Sequence, residues 1–259
     1  MSAPAIDHAT LDTAVALLQE AGRRTLRWFR TADLAVERKH DGTPVTAADR
    51  DAERFLRERL ADAFPGDGVV GEEEAPTEGT SGRRWILDPI DGTKAFTCGV
   101  PLYSNLLALE DAHGIAVGVI NLPALGETVW AGRGLGCWSE RGAEHVSTQQ
   151  TMAGAYVASS SLTHWPPGRV AALESAGAIL RTWGDGYGYA LAATGRIAAM
   201  YDPQVEPYDV GPMPVIFAEA GGRFTDRLGT TRIDGGSGLG SNGHVHDELL
   251  ALLTATPDS

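Results

Sequence analysis

Apolar positions recur along this chain at two periods. Leu11, Val15, Leu18 and Gly22 fall at i, i+4, i+7 and i+11, the spacing of one helix face. A second helix is predicted over residues 47–64, with Phe55, Leu56 and Leu60 on one side and Arg54, Arg57, Glu58 and Arg59 on the other. Phe64-Pro65-Gly66-Asp67-Gly68 breaks it. Residues 71–82 are acidic and rich in Gly and Pro, which predicts a loop, and residues 84–87 read as a buried strand that stops at Asp88-Pro89. Residues 102–109 and 115–120 read as strands around a turn at 111–114, and residues 130–138 as a Gly-rich hairpin.

Periodicity fades over residues 141–150, which are polar, and a domain boundary is placed there: an N-terminal α+β domain of residues 1–145 and a C-terminal α/β domain of residues 146–259. The second half predicts a strand at 155–160, a helix at 169–176, a Gly/Tyr stretch at 184–189 and a helix at 191–195. A helix at 212–220 closed by Gly221-Gly222, a short strand at 223–225 and a closing helix at 246–253 follow. Without strict βαβ alternation, the pattern predicts α+β or layered α/β rather than a doubly wound nucleotide fold.

The length of 259 residues is enough for one large domain or two small ones. A net charge of −13 opposes general binding of nucleic acid or anionic membrane, so a phosphate must be handled locally, by a metal or a helix terminus. Cys98 and Cys137 are too few for a disulfide framework or a zinc ribbon. Residues 1–20 lack the basic start and apolar run of a signal peptide, and no stretch is long enough to span a bilayer, so a cytoplasmic protein is expected. The Gly-rich stretches at 132–136 and 235–243 read as turns, Cys98 as a small buried filler, Trp28-Phe29 and Trp165 as packing, and His244-x-His246 as the start of a surface helix.

The chemistry concentrates at Trp85-Ile86-Leu87-Asp88-Pro89-Ile90-Asp91-Gly92-Thr93. Two acids three residues apart end an apolar strand; Pro89 forces a turn and Gly92 opens backbone conformations closed to other residues. Such a pair suits either a hard-cation site or a turn in which the two acids bond local amides. The interval of three excludes the D-x-D arrangement of aspartyl-phosphate enzymes, which puts both acids on one strand face. If a helix follows, the N–H groups of Gly92, Thr93 and Lys94 form an anion site. Asp49 and Asp209 at helix starts and Glu72 in an acidic loop each have an ordinary reading as a cap, a dipole partner or a solvated charge.

Together these segments resemble the inositol monophosphatase family of Mg²⁺-dependent, lithium-sensitive phosphatases. The resemblance rests on Val45-Thr46-Ala47-Ala48-Asp49, Gly71-Glu72-Glu73, the Trp85–Thr93 segment, Tyr208-Asp209 and Glu219-Ala220-Gly221-Gly222, in the family's order over residues 41–226. Within the family, Asp91-Gly92-Thr93-Lys94-Ala95-Phe96, Gly184-Asp185-Gly186-Tyr187-Gly188-Tyr189 and Glu206-Pro207-Tyr208-Asp209 are most similar to histidinol-phosphate phosphatases, with Glu206 in place of the usual Lys and Asp202 where relatives often carry Glu. The resemblance implies a five-layer αβαβα sandwich, usually homodimeric, with two or three Mg²⁺ ions per site. It implies metal ligation by Glu72, Asp88, the Ile90 carbonyl, Asp91 and Asp209, water orientation by Asp49 and Thr93 beside Glu72, and phosphate binding at Gly92, Thr93 and Lys94. Asp185, Asp202 and Glu206 would then face the alcohol half of the substrate, and their charge, with Tyr187, Tyr189 and Tyr208 flanking a ring or else lying in the core, favours the cationic histidinol phosphate. An inositol, sugar or nucleoside phosphate in another pathway is the alternative substrate. A non-catalytic binder of a phosphorylated metabolite is a third reading, disfavoured because such a binder has no use for water-orienting residues.

Overall fold

A computed structural model describes residues 3–31, 36–38 and 44–254; both chain ends and Asp41, where the resemblance begins, lie outside them. The helices are α1 (His8–Leu26), α2 (Ala47–Ala63), α3 (Thr93–Thr97), α4 (Arg169–Ser175), α5 (Asp185–Ala193), α6 (Pro207–Val210), α7 (Met213–Glu219) and α8 (His246–Thr254). The strands are β1 (Val36–Arg38), β2 (Pro44–Thr46), β3 (Gly68–Gly71), β4 (Arg84–Asp91), β5 (Ser104–Asp111), β6 (Gly114–Leu122), β7 (Glu127–Gly132), β8 (Gly136–Ser139), β9 (Gly142–Ala143), β10 (Tyr156–Ala158), β11 (Ile179–Arg181), β12 (Ala199–Asp202), β13 (Arg223–Thr225) and β14 (Gly238–Ser241).

Two sheets organise the molecule. The larger runs β3-β4-β5-β6-β7-β8-β9 and the smaller β11-β10-β12-β14-β13, so the change of sheet falls between Ala143 and Tyr156. In the larger sheet only β3 and β4 are parallel; each later strand turns back on the one before.

Side-chain alternation along the strands builds the layers. Trp85, Leu87, Leu107, Leu109, Val117 and Val119 point to one face of the larger sheet, where they pack on Leu11, Leu18, Leu56 and Leu60 of α1 and α2. The even-numbered residues Ile86, Leu106, Ala108 and Ile120 point the other way, into a core shared with Leu191 of α5, Ile216 and Phe217 of α7 and Met200 of β12. On the far side of the smaller sheet Val157, Ala199 and Tyr201 pack on Leu173 of α4 and Leu249 of α8. The result is helix, sheet, helix, sheet, helix: the five-layer αβαβα sandwich. Among the described residues no helix is long and apolar enough to cross a membrane.

Several sequence expectations need correction. The strand predicted to stop at Asp88-Pro89 continues to Asp91, because a register shift accommodates the proline. The predicted 71–82 loop begins with Gly71 closing β3. The Gly/Tyr stretch, to which the sequence assigned no element, forms the first half of α5, whose glycines let it sit where side chains would not fit. A Cβ on Gly186 would collide with Ser104, and one on Gly188 with the Trp183 carbonyl. Cys98 is exposed rather than buried filler. His246 starts α8 but is wholly buried, bonded to Thr225 Oγ1 at 3.0 Å and Ser241 Oγ at 2.8 Å. Tyr189 belongs to the core, against Phe217 and Phe224, and Tyr187 and Tyr208 pack partly buried on the same cluster.

Candidate active site

The site forms where β4 breaks register. Asp88 lies opposite Leu106 of β5 and Asp91 opposite Ser104, so three steps on β4 match two on its partner. That is a bulge, one extra residue absorbed at Pro89-Ile90. Strict alternation would send residues i and i+3 to opposite faces. The bulge cancels the odd step and turns both carboxylates toward the central helix layer. Asp88 Oδ1 accepts the Ile90 N–H at 3.0 Å and so ties the bulge to itself.

Past the bulge, Gly92 takes a left-handed conformation at φ 83° and starts the short α3. Thr93 follows, its hydroxyl donating to the Ile90 carbonyl at 3.1 Å; the Lys94 side chain is exposed. α6 supplies Asp209, whose Oδ2 accepts the Glu206 N–H at 2.8 Å in a capping box rather than standing as an N-cap itself. Among the described residues, Asp88, Asp91 and Asp209 each offer one carboxylate oxygen within 4.8 Å of the others.

These acids are held near one another at an electrostatic disadvantage. Burial, then the charges of Glu72, Asp91 and Asp209, pushes Asp88 well above the ordinary carboxylate range. Burial, then Asp185 and Asp209, does the same to Asp91, against the opposing hydrogen bonds of Ser104 and Gly186. Burial raises Asp209 to about 7, with Glu72 adding to it. Glu72 sits on the turn after β3, beside Asp88 and close enough to Asp49 to raise it. Asp49, at the third position of α2, is buried and lifted to about 6 chiefly by desolvation. Its Oδ2 accepts from the Thr46 N–H at 2.8 Å and the Thr46 hydroxyl at 2.5 Å, while Oδ1 is buried without a hydrogen-bond partner. A divalent cation with a preference for oxygen fits this donor set: convergent carboxylates whose mutual repulsion it relieves.

The acids assigned to the alcohol side are placed unequally. Asp185 abuts the glycine turn: a Cβ on Gly92 would lie 2.8 Å from its Oδ2. It holds a left-handed φ of 55°, rare for a non-glycine residue. Its N–H donates to Ser160 Oγ at 2.8 Å, and that hydroxyl donates to Asp202 Oδ2 at 2.8 Å. Asp202 is 5% exposed and also accepts from the Ser160 N–H at 2.8 Å and Ser159 Oγ at 3.2 Å. Its carboxylate is thus engaged in holding the strand end that presents Asp185. Glu206 is exposed and caps α6.

Sequence reasoning missed several residues here. Ser104 Oγ and the Gly186 N–H both donate to Asp91 Oδ2, at 2.6 and 2.5 Å, which joins the larger sheet to α5 at a predicted ligand. Glu53 lies buried behind the Glu72 turn. Glu53 stands four residues after Asp49, one turn along the same helix face, and that spacing was its only signal.

A layered α/β scaffold that gathers buried carboxylates at a strand end beside a glycine turn offers a site for a divalent cation. Comparison with known proteins narrows it. A model of the inositol monophosphatase family matches residues 7–256. The chain is 39% identical over 259 residues to a histidinol-phosphatase of Mycobacterium tuberculosis, covering 96% of this chain and 100% of that one. It is 31% identical over 257 residues to an inositol-1-monophosphatase of Rhizobium meliloti, covering 95% and 96%. The solved Thermotoga maritima IMPase superposes with a TM-score of 0.86 at 28% identity, over 95% of this chain and 96% of that one. The chain belongs to the inositol monophosphatase family.

Proposed function

We propose that the protein hydrolyses L-histidinol phosphate to L-histidinol and phosphate, with Mg²⁺ as the bound cation. The observation that carries this is the meeting of Asp88, Asp91 and Asp209 at the bulge, with Asp185 set against the adjoining glycine turn. The family and the histidinol-phosphatase relatives support the reaction and the substrate.

In this reading Glu72, Asp88, the Ile90 carbonyl, Asp91 and Asp209 hold two or three Mg²⁺ ions. Bound there, the ions would lower the pKa of the attacking water and neutralise charge on the departing oxygen. The chain's own groups do the positioning. Asp49 offers Oδ1, the acceptor its helix cap leaves over, to a proton of the water. Thr93 has its proton committed to Ile90, so its oxygen acts as a second acceptor. The backbone N–H groups of Gly92 and Thr93, with Lys94 beside them, hold the phosphate. Asp185 faces the leaving alcohol and favours one that is cationic, with Asp202 setting its position and Glu206 adding a more distant charge. A cytoplasmic homodimer completes the reading; sedimentation at two concentrations tests the dimer.

A second reading is favoured by one observation. With Asp202 occupied by Ser159 and Ser160 and Glu206 exposed, the charge selectivity rests on Asp185, which leaves room for a neutral inositol or sugar phosphate. Phosphate release with Mg²⁺ from histidinol phosphate, inositol 1-phosphate and fructose 1,6-bisphosphate separates the two. Histidinol phosphate is expected to lead in kcat/KM by about tenfold, the worth of one modest charge contact. An equal or faster neutral substrate rejects the histidinol reading, and no release from any ester rejects both.

A further inference from the structure

We infer that Glu53 is a positioning residue for Glu72, and that with Arg57 it sets the affinity of the site for its cation; this rests on the reading of Glu72 as a metal ligand. Glu53 is an α2 residue whose side chain is fully buried, and both its oxygens have partners within the protein. They are spent on the turn that carries Glu72. Oε2 accepts the Glu73 N–H at 2.8 Å and Oε1 the Glu74 N–H at 3.0 Å. One carboxylate thus grips two successive amides immediately after Glu72.

Arg57, one helical turn on, holds the same carboxylate and the far side of the same loop. Its Nε donates to Glu53 Oε1 at 2.8 Å, one terminal nitrogen to the Glu74 carbonyl at 2.9 Å and the other to Thr77 Oγ1 at 3.3 Å. The chain is shaped to admit this clamp: a Cβ on Gly71 would collide with Glu53 Oε1. Asp49 lies on the same helix four residues earlier. α2 therefore carries both the acid proposed to orient the water and the acid that fixes the Glu72 turn. A ligand on a mobile loop loses affinity through the entropy of ordering it, and a clamp made before binding removes that loss.

The test is Mg²⁺ titration of metal-free protein, read by calorimetry and by the midpoint of thermal unfolding, on wild type and Glu53→Gln. The amide keeps the volume of the carboxylate but loses one acceptor and the ion pair. The Mg²⁺ dissociation constant is expected to rise about tenfold, the lower end for partners that orient ligands, with kcat restored at saturating Mg²⁺. A variant that melts earlier but binds Mg²⁺ as wild type does overturns the inference, because a merely structural role moves the melting point alone. Should Glu53→Gln not fold, Arg57→Lys keeps the charge, loses the fork and is expected to weaken Mg²⁺ binding about threefold; unchanged binding overturns the inference equally. Wild type that binds no Mg²⁺ rejects the metal reading itself, a different outcome from wild type and variant binding alike.

Discussion

The two acid groups that flank Gly92 are built on opposite principles. At the bulge, Asp88, Asp91 and Asp209 each turn one carboxylate oxygen toward the others, and burial together with the charge of nearby carboxylates lifts all three. On the other side, Asp202 is as deeply buried, yet its carboxylate is engaged by three hydrogen bonds from Ser159 and Ser160. The first group is able to take a cation; the second spends its acceptors on neighbouring serines and serves the placement of Asp185. Burial of an acid is thus a poor guide to its role, and the count of its satisfied oxygens a better one.

The contrast breaks most sharply at Asp88. Asp88→Asn removes a proposed ligand and one of the neighbouring charges together. Activity should fall by about a hundredfold or more, beyond the range seen for mere ligand-orienting partners. Metal-free protein should meanwhile melt at a higher temperature than wild type, since a buried like-charge contact is gone. Measuring both sharpens the point: lost activity with a lowered metal-free melting point would place Asp88 with the structural acids.

A smaller effect separates Asp185 from Asp202. Asp185→Asn should raise KM for histidinol phosphate about tenfold, one charge contact, while leaving the melting point close to wild type. Asp202→Asn presents an amide to the Ser160 N–H and should cost about 1–3 kcal/mol of stability, with activity reduced only a few-fold through the displaced Asp185. Side-by-side kinetics and melting curves decide the assignment. The opposite pattern, with Asp202 controlling KM and Asp185 controlling stability, would reverse the two roles.

No change in activity at neutral pH is expected from the acid dependence of His246, which belongs to neither group. Burial lowers it from 6.5 to about 4, so the fold keeps it neutral while the unfolded chain protonates it more readily. Its contribution is full above about pH 6.5 and is lost as pH falls toward 4. Against wild type, His246→Gln should show a shallower fall of melting temperature between pH 6.5 and 4. Equal slopes would mean that the acid limb has another source.

Much of the larger sheet was legible because its strands carry alternation and its turns carry Gly and Asp: β5, β6 and the β7–β8 hairpin fall on their predicted segments. The smaller sheet was less so. β12 reads Ala-Met-Tyr-Asp and β14 Gly-Leu-Gly-Ser, too short and too rich in small residues to show a period. Gly186 and Gly188 argue against helix by propensity, yet α5 is wrapped by two sheets and closeness decides its conformation. The Asp88-x-x-Asp91 spacing was visible, but its meaning depends on a bulge that exists only when β5 pairs alongside. Lone partners such as Ser104 and Ser160 carry no pattern at all, and Glu53 only its spacing from Asp49. They matter through neighbours far away in the chain.

Crystals soaked in Mn²⁺, a cation with similar oxygen preference but a measurable anomalous signal, test the central claim most directly. The account predicts an anomalous peak within bonding reach of Asp88, Asp91 and Asp209, absent from Asp88→Asn crystals treated the same way. Full soaking with no peak among those three carboxylates, in crystals of protein that releases phosphate, would contradict it.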